Sequence, residues 1–247
     1  METFSVHAYV LKASSITASR LRIVLFAKNR GKVVVLASPR SVNRCFNYFE
    51  PFIEADWFLK ERRESLDVRE VRILSLPPSI SPRVMVSAWY MNELLLYSLA
   101  EGEPDAELYG VYQHSLKELG DLPLDESGTQ FSYHLEQILR RFEWKLLQSI
   151  GFGISLTHEA QRHEPIQPHL HYDCVVNKGF VIKESHSQNT PGIDGLDLLN
   201  LAHGRPLSQE GLKSMKIITR QLIDVALGHP ILKTREMIKK MYGYSHE

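Results

Sequence analysis

Seven basic side chains, Arg20, Arg22, Lys28, Arg30, Lys32, Arg40 and Arg44, fall in the run RLRIVLFAKNRGKVVVLASPRSVNR, and no Asp or Glu occurs between Glu2 and Glu50. The chemistry open to such a set is charge neutralisation. Solvated faces usually mix signs, so an unmixed basic stretch points to a polyanion, and the anion long enough to meet several cations at once is a nucleic-acid backbone. A second set, His158, His163, His169, His171 and Cys174, carries imidazole and thiol groups of the kind that hold zinc. Its spacing argues against a metalloprotease site. His158-Glu159 and His163 are five apart rather than four, which turns the second imidazole off a shared helical face, and Pro165 and Pro168 interrupt any helix there. Adventitious clustering in a polar loop is the preferred reading, with no metal or other cofactor expected. A third set, Glu101, Glu103, Asp105 and Glu107, resembles a carboxylate site but is better read as acidic groups offsetting the dipole of a helix that begins at Pro104. No nucleophile elbow, phosphate-binding loop or metal-plus-base set is present, so a binding protein is expected rather than an enzyme.

The elements that must position the basic set are strands. Leu21, Ile23 and Leu25 alternate with Arg20, Arg22 and Val24; Asn29-Arg30-Gly31 supplies a turn; Lys32 to Leu36 continues as a β-branched strand. Burying one face of this hairpin sends Arg20 and Arg22 to the other and carries Lys28, Arg30 and Lys32 to its tip. Residues 4–11 alternate as an earlier strand, and 49–59 and 66–76 as two later ones. Five short strands before Pro77-Pro78 predict a small closed barrel of the oligonucleotide-binding type. Phe46, Tyr48, Phe49 and Phe52 lie close to Arg40 and Arg44 in sequence. Phe49, Phe52, Trp57 and Phe58 are expected to fill the barrel, while Tyr48, whose hydroxyl tolerates an exposed edge, is the candidate for stacking on a base.

Beyond Pro78 the period becomes helical. VMVSAWYMNELLLYSLAEG is apolar nearly all round and predicts a buried helix ending near Gly102. The helix from Gln130 to Ile150 carries Phe131, Leu135, Ile138, Leu139, Phe142, Leu146 and Ile150 on one stripe, with Arg140, Arg141 and Lys145 assigned to its polar face and Gly151 at its end. Tyr172 to Ile182 reads as a hairpin turning at Asn177-Lys178-Gly179. A short helix is expected over 193–203, then one capped by Ser208, with Leu212, Met215, Ile218, Leu222 and Val225 inward and Lys213, Lys216 and Arg220 outward. A last basic helix spans 233–241. From Lys213 to Lys240 seven basic residues face two acidic ones, Asp224 and Glu236, which makes a second basic region.

Composition sets the bounds. The 247 residues hold 29 basic and 29 acidic groups, so only their distribution is informative: residues 1–80 carry a net +5, residues 81–136 a net −8, and residues 137–247 a net +3. Two cysteines, Cys45 and Cys174, exclude a disulfide framework or a four-thiolate zinc site. No apolar run reaches the length of a membrane span and no leader pattern opens the chain, so a cytoplasmic protein is expected.

Trp89-Tyr90-Met91-Asn92-Glu93-Leu94-Leu95, then Arg141-Phe142-Glu143 through Leu147 to Gly151-Phe152-Gly153, then Leu232-Lys233-Thr234-Arg235-Glu236, following a basic five-stranded barrel, resemble in order the RecO family of bacterial DNA repair proteins. The resemblance implies an α+β chain in which 1–79 form a DNA-binding oligonucleotide-binding fold. Residues 80–152 and 183–247 would form a helical domain, and 153–182 the segment corresponding to the family's zinc-finger-like region. It implies binding of single- and double-stranded DNA, annealing of complementary strands, and work with RecR in placing RecA on DNA coated by single-strand-binding protein, within the RecF pathway. It maps DNA contacts to Arg20, Arg22, Lys28, Arg30, Lys32, Arg40 and Arg44. It also implies docking of the acidic tail of single-strand-binding protein on the helical domain, for which Arg141, Lys213, Lys216, Ile217, Arg220, Leu222, Lys233 and Arg235 are candidates. Two departures stand out. Many relatives carry two Cys-x-x-Cys pairs where this chain keeps only Cys174, which argues against a structural zinc, and ASPRSVNR is less basic than the family pattern. The competing readings are a metal-dependent hydrolase using the His158–Cys174 region and a protein-binding scaffold using the acidic middle.

Overall fold

The computed structural model describes residues 3–18, 20–38, 49–62, 65–123, 128–183 and 192–242. Contacts divide the chain into two compact units, Met1–Asp121 with Leu232–Glu247, and Leu122–Ile231. This partition differs from a boundary at residue 79, because two helices that follow the barrel and the last helix of the chain group with the strands.

In the first unit, alternation of apolar and polar residues produces β1 (Thr3–Thr17), β2 (Arg20–Ala27), β3 (Gly31–Ala37), β4 (Glu54–Arg62) and β5 (Ser65–Ser75). They close in the order β1-β2-β3-β5-β4, antiparallel except where β3 meets β5 at Val35↔Leu66 and Leu36↔Asp67. This is the expected five-stranded barrel of the oligonucleotide-binding type. Val6, Ala8, Val10, Ile23, Leu25, Val33, Val35, Phe49, Trp57 and Leu59 fill it. Phe58, expected inside, lies half-buried on the outer face with Arg72 5.5 Å from its ring, since it alternates with the core residues Trp57 and Leu59.

Helices α1 (Pro82–Ser98) and α2 (Ala106–Gly120) belong to the same unit. Pro at the start of α1 suits a position whose N–H has no helical partner, and Asp105 caps α2 by accepting from the Leu108 N–H at 2.8 Å. Rings from α2 cover one outer stretch of the barrel: Tyr112 meets Tyr9 edge-on at 5.2 Å, and Tyr109 lies 5.3 Å from Phe26. Asn92 donates to the Leu11 carbonyl at 3.0 Å and accepts from the Tyr112 hydroxyl at 2.6 Å, tying α1, α2 and β1 together.

The second unit contains α3 (Thr129–Ser149), a sheet of β6 (His171–Val175), β7 (Gly179–Ile182) and β8 (Ile193–Asp194), then α4 (Gly195–Ala202) and α5 (Gln209–Ala226). The apolar stripe of α3 is buried as its period predicts, and Gly151, at φ +82°, follows its end. Ser208 caps α5 by accepting from the Gly211 N–H at 2.9 Å, and its own hydroxyl donates to buried Asp197 at 2.7 Å. The last helix, α6 (Lys233–Tyr242), packs on α1 in the first unit. Glu93 of α1 accepts from the Lys233 and Thr234 N–H groups at 2.9 and 3.0 Å, so a carboxylate satisfies the open start of α6.

Candidate nucleic-acid interface

The basic hairpin is built by pairing β2 with β3 from Leu21↔Ala37 to Ala27↔Gly31. Gly31, at φ +59°, makes the turn. Ile23, Leu25, Val33 and Val35 point into the core, so strand alternation sends Arg20 and Arg22 outward, and both are exposed. β1 runs alongside for six residues more than its alternation predicted, to Thr17, and brings Thr17↔Arg20, Ser14↔Arg22 and Lys12↔Val24 into register. Lys12 therefore shares the outer face with Arg22 and is exposed. It is the cation that reading the sequence missed, and a longer first strand is the signal that would have found it. Among the described residues, Lys12, Arg20 and Arg22 enter no ion pair.

The tip is different. Lys28 and Arg30 are exposed, with the Arg30 guanidinium 4.4 Å from the centre of the Phe4 ring, a cation–π contact. Lys32 is half-buried and donates to the Leu96 carbonyl at 3.4 Å near the end of α1. The tip also meets acidic chain: Glu101 bridges to Gly31 and Lys32, and the Gly102 N–H donates to the Lys32 carbonyl at 3.2 Å. The absence of counter-charge in the local sequence thus does not extend to the tip, where it arrives from the α1–α2 connection. Arg40, Arg44 and Tyr48 lie outside the described residues.

Arg140 of α3, and Lys213 and Lys216 of the second basic region, each meet a carboxylate. Arg140, assigned from periodicity to a polar face, is 2% exposed. It pairs with Glu143 at 2.8 Å and Glu136 at 3.4 Å and donates to the Thr219 hydroxyl at 3.1 Å, while that hydroxyl donates to Glu143 at 2.5 Å. Lys216 pairs with Glu136, and Lys213 with Glu210 at 2.8 Å. Burial pushes the Glu136 carboxyl up, but Arg140, Lys216 and Arg220 outweigh it and hold the group below its ordinary value. Arg141 is half-buried, Ile217 and Arg220 are exposed, and Leu222 is buried in the core, so the outward set on α5 is Lys213, Ile217 and Arg220. Lys233 and Arg235 belong to α6 and the first unit; Lys233 is exposed, and Arg235 is half-buried with its guanidinium 5.8 Å from the Tyr90 ring.

The histidines do not converge. His158, His163, His169 and His171 are exposed, His171 pairing with Asp194 at 2.5 Å, and no helix joins them. Cys174 is buried, which pushes its thiol up to about 12 and away from the thiolate that binds metal. The turn between His158 and Pro165 is organised instead by Glu159, whose carboxylate accepts from the N–H groups of Gln161 at 2.6 Å, Arg162, and Glu164 at 3.3 Å. Among the described residues no three His, Cys, Asp or Glu side chains are grouped to hold a metal ion. Among the described residues no helix is long and apolar enough to cross a membrane.

The model of the family described as Recombination protein O C terminal matches residues 82–236, beginning where the period of the sequence turns helical. The DNA repair protein RecO of Legionella pneumophila (strain Paris) is 29% identical over 96% of this chain and 98% of its own length. That of Aromatoleum aromaticum is 28% identical over 96% and 94%, and that of Pseudomonas paraeruginosa 32% identical over 88% and 82%. A five-stranded barrel with an outward basic hairpin, the family match over the helices, and similarity along nearly the whole chain agree, and the chain belongs to the RecO family of DNA repair proteins.

Proposed function

We propose that this protein is a recombination mediator that binds single- and double-stranded DNA through the outer face of β1, β2 and β3 and anneals complementary strands. The observation that carries this reading is the cluster Lys12, Arg20 and Arg22, three exposed cations in strand register with no ion pair among the described residues. Cations without carboxylate partners exchange counterions for phosphate at low cost, which favours a backbone track. Annealing then follows from charge: neutralised strands approach one another, while contacts confined to phosphate leave base edges free to pair. The family resemblance extends the proposal to partners. RecR would act with this protein to place RecA on DNA covered by single-strand-binding protein, whose acidic tail would dock near Lys213, Ile217 and Arg220. The histidine region and its single buried thiol supply no part of the function, and no covalent step is assigned.

The test is annealing of two complementary labelled oligonucleotides followed by fluorescence quenching, with wild type and the triple variant Lys12→Ala, Arg20→Ala, Arg22→Ala. A rate enhancement by wild type that the variant loses by about tenfold or more supports the reading, since each lost phosphate contact weakens binding. Equal rates for the two proteins would place the DNA surface elsewhere.

A further inference from the structure

The hairpin has two ends with opposite surroundings. At its tip the chain between α1 and α2, Glu101-Gly102-Glu103, is laid against β3 by the hydrogen bond from the Gly102 N–H to the Lys32 carbonyl and by the bridges of Glu101 to Gly31 and Lys32. The approach is so close that a Cβ on Gly31 would stand 1.9 Å from the Glu103 carbonyl oxygen. Glu101 and Glu103 are both exposed, and among the described residues their carboxylates enter no hydrogen bond or ion pair. Their charge is therefore turned to solvent on a segment laid against Gly31 and Lys32. At about 3.4 Å per residue, Arg22 stands roughly 17 Å from the tip and Arg20 roughly 24 Å. Both lie beyond the Debye length of about 8 Å at physiological ionic strength, whereas Arg30 directly precedes Gly31, against which the Glu103 backbone is laid.

Resting on the DNA-binding reading above, we propose that Glu101 and Glu103 form a charge guard that confines the phosphate track to the Arg20–Arg22 end of the hairpin and withholds the tip from DNA. The guard is fixed by backbone contacts rather than by ion pairs, so salt weakens its field but does not release it. Lys28 and Arg30, the most accessible cations by sequence, contribute little to binding while the guard is in place. Removing the two charges extends the track to the tip.

The test is fluorescence anisotropy of a labelled single-stranded oligonucleotide across a salt series, with wild type, Glu101→Gln/Glu103→Gln, Arg30→Ala and the three substitutions combined. The glutamines preserve backbone and volume at exposed positions. Affinity of the double variant at low salt should rise by about threefold to tenfold, with a slope of log affinity against log salt steeper by about 0.7 for each phosphate regained. Arg30→Ala should be nearly silent in wild type and should remove much of that gain in the double variant, a coupling that a general change of net charge does not give. Unchanged affinity and slope in the double variant, while Arg20→Ala/Arg22→Ala still weakens binding, overturns the guard alone. Absence of DNA binding by wild type overturns the guard together with the reading on which it rests.

Discussion

Two sets of cations in this molecule are opposite in what they do with their charge. On the barrel, Lys12, Arg20 and Arg22 project from strands whose other face is the core, and no carboxylate reaches them among the described residues. On α3 and α5, Arg140, Lys213 and Lys216 each meet a carboxylate, and Arg140 does so away from water. The first set is available to an external anion; in the second, Arg140 and Lys216 join α3 to α5, while Lys213 pairs along its own helix. Availability follows from which elements bring acids alongside, and a charge count along the chain does not contain that information.

The largest effect that separates the regions is expected at Arg140. Arg140→Ala leaves Glu143 buried and without its cation, a loss of about 3–5 kcal/mol, which chemical denaturation should register while the salt dependence of DNA binding stays that of wild type. Arg140→Met paired with Glu143→Leu should recover most of this stability, because the pair offsets its own desolvation and adds little net. A smaller effect is expected at the hairpin tip. Gly31→Ala forces a side chain into a φ +59° position 1.9 Å from a carbonyl oxygen, a loss of roughly 1–3 kcal/mol visible as a lowered thermal midpoint.

Acid should sharpen the comparison further. The Glu136 carboxyl titrates lower in the folded chain than its ordinary value of 4.5. Its pairing therefore contributes full stability above about pH 4.5 and loses it as pH falls through the folded value. Glu136→Gln should flatten that part of the acid-unfolding profile, and a profile identical to wild type would show that the pairing contributes nothing. The smallest effect belongs to Lys213→Ala. Its partner Glu210 is exposed, so the pair is screened, and a change within about 0.5 kcal/mol is expected.

Much of the fold was legible because period-two and period-3.6 patterns report burial directly. Ile23, Leu25 and Trp57 in the barrel, and Phe131 to Leu146 on α3, lie where their spacing places them. The cap at Ser208 and the turn at Gly31 were legible from residue type, whereas the helix assigned to begin at Pro104 starts at Ala106 with Asp105 as its cap. What was not legible depended on long-range partners. Arg140 looks like any polar-face arginine until Thr219, 79 residues away, closes over it. Lys12 becomes part of the basic face only because β1 continues past the end of its clean alternation. The acids beside the hairpin tip come from the α1–α2 connection, which no local window on the hairpin includes. The family motifs were legible as a pattern but not as a role: Asn92, Glu93 and Glu143 each tie one element to another.

The measurement to make first is the salt dependence of single-stranded DNA binding by wild type and by Arg20→Ala/Arg22→Ala, read by anisotropy with a thermal midpoint for each protein. Two exposed cations on a phosphate track should account for about 1.4 units of the slope of log affinity against log salt, lost in the variant with the midpoint unchanged. The same slope in both proteins would contradict the assignment of the barrel face as the DNA surface.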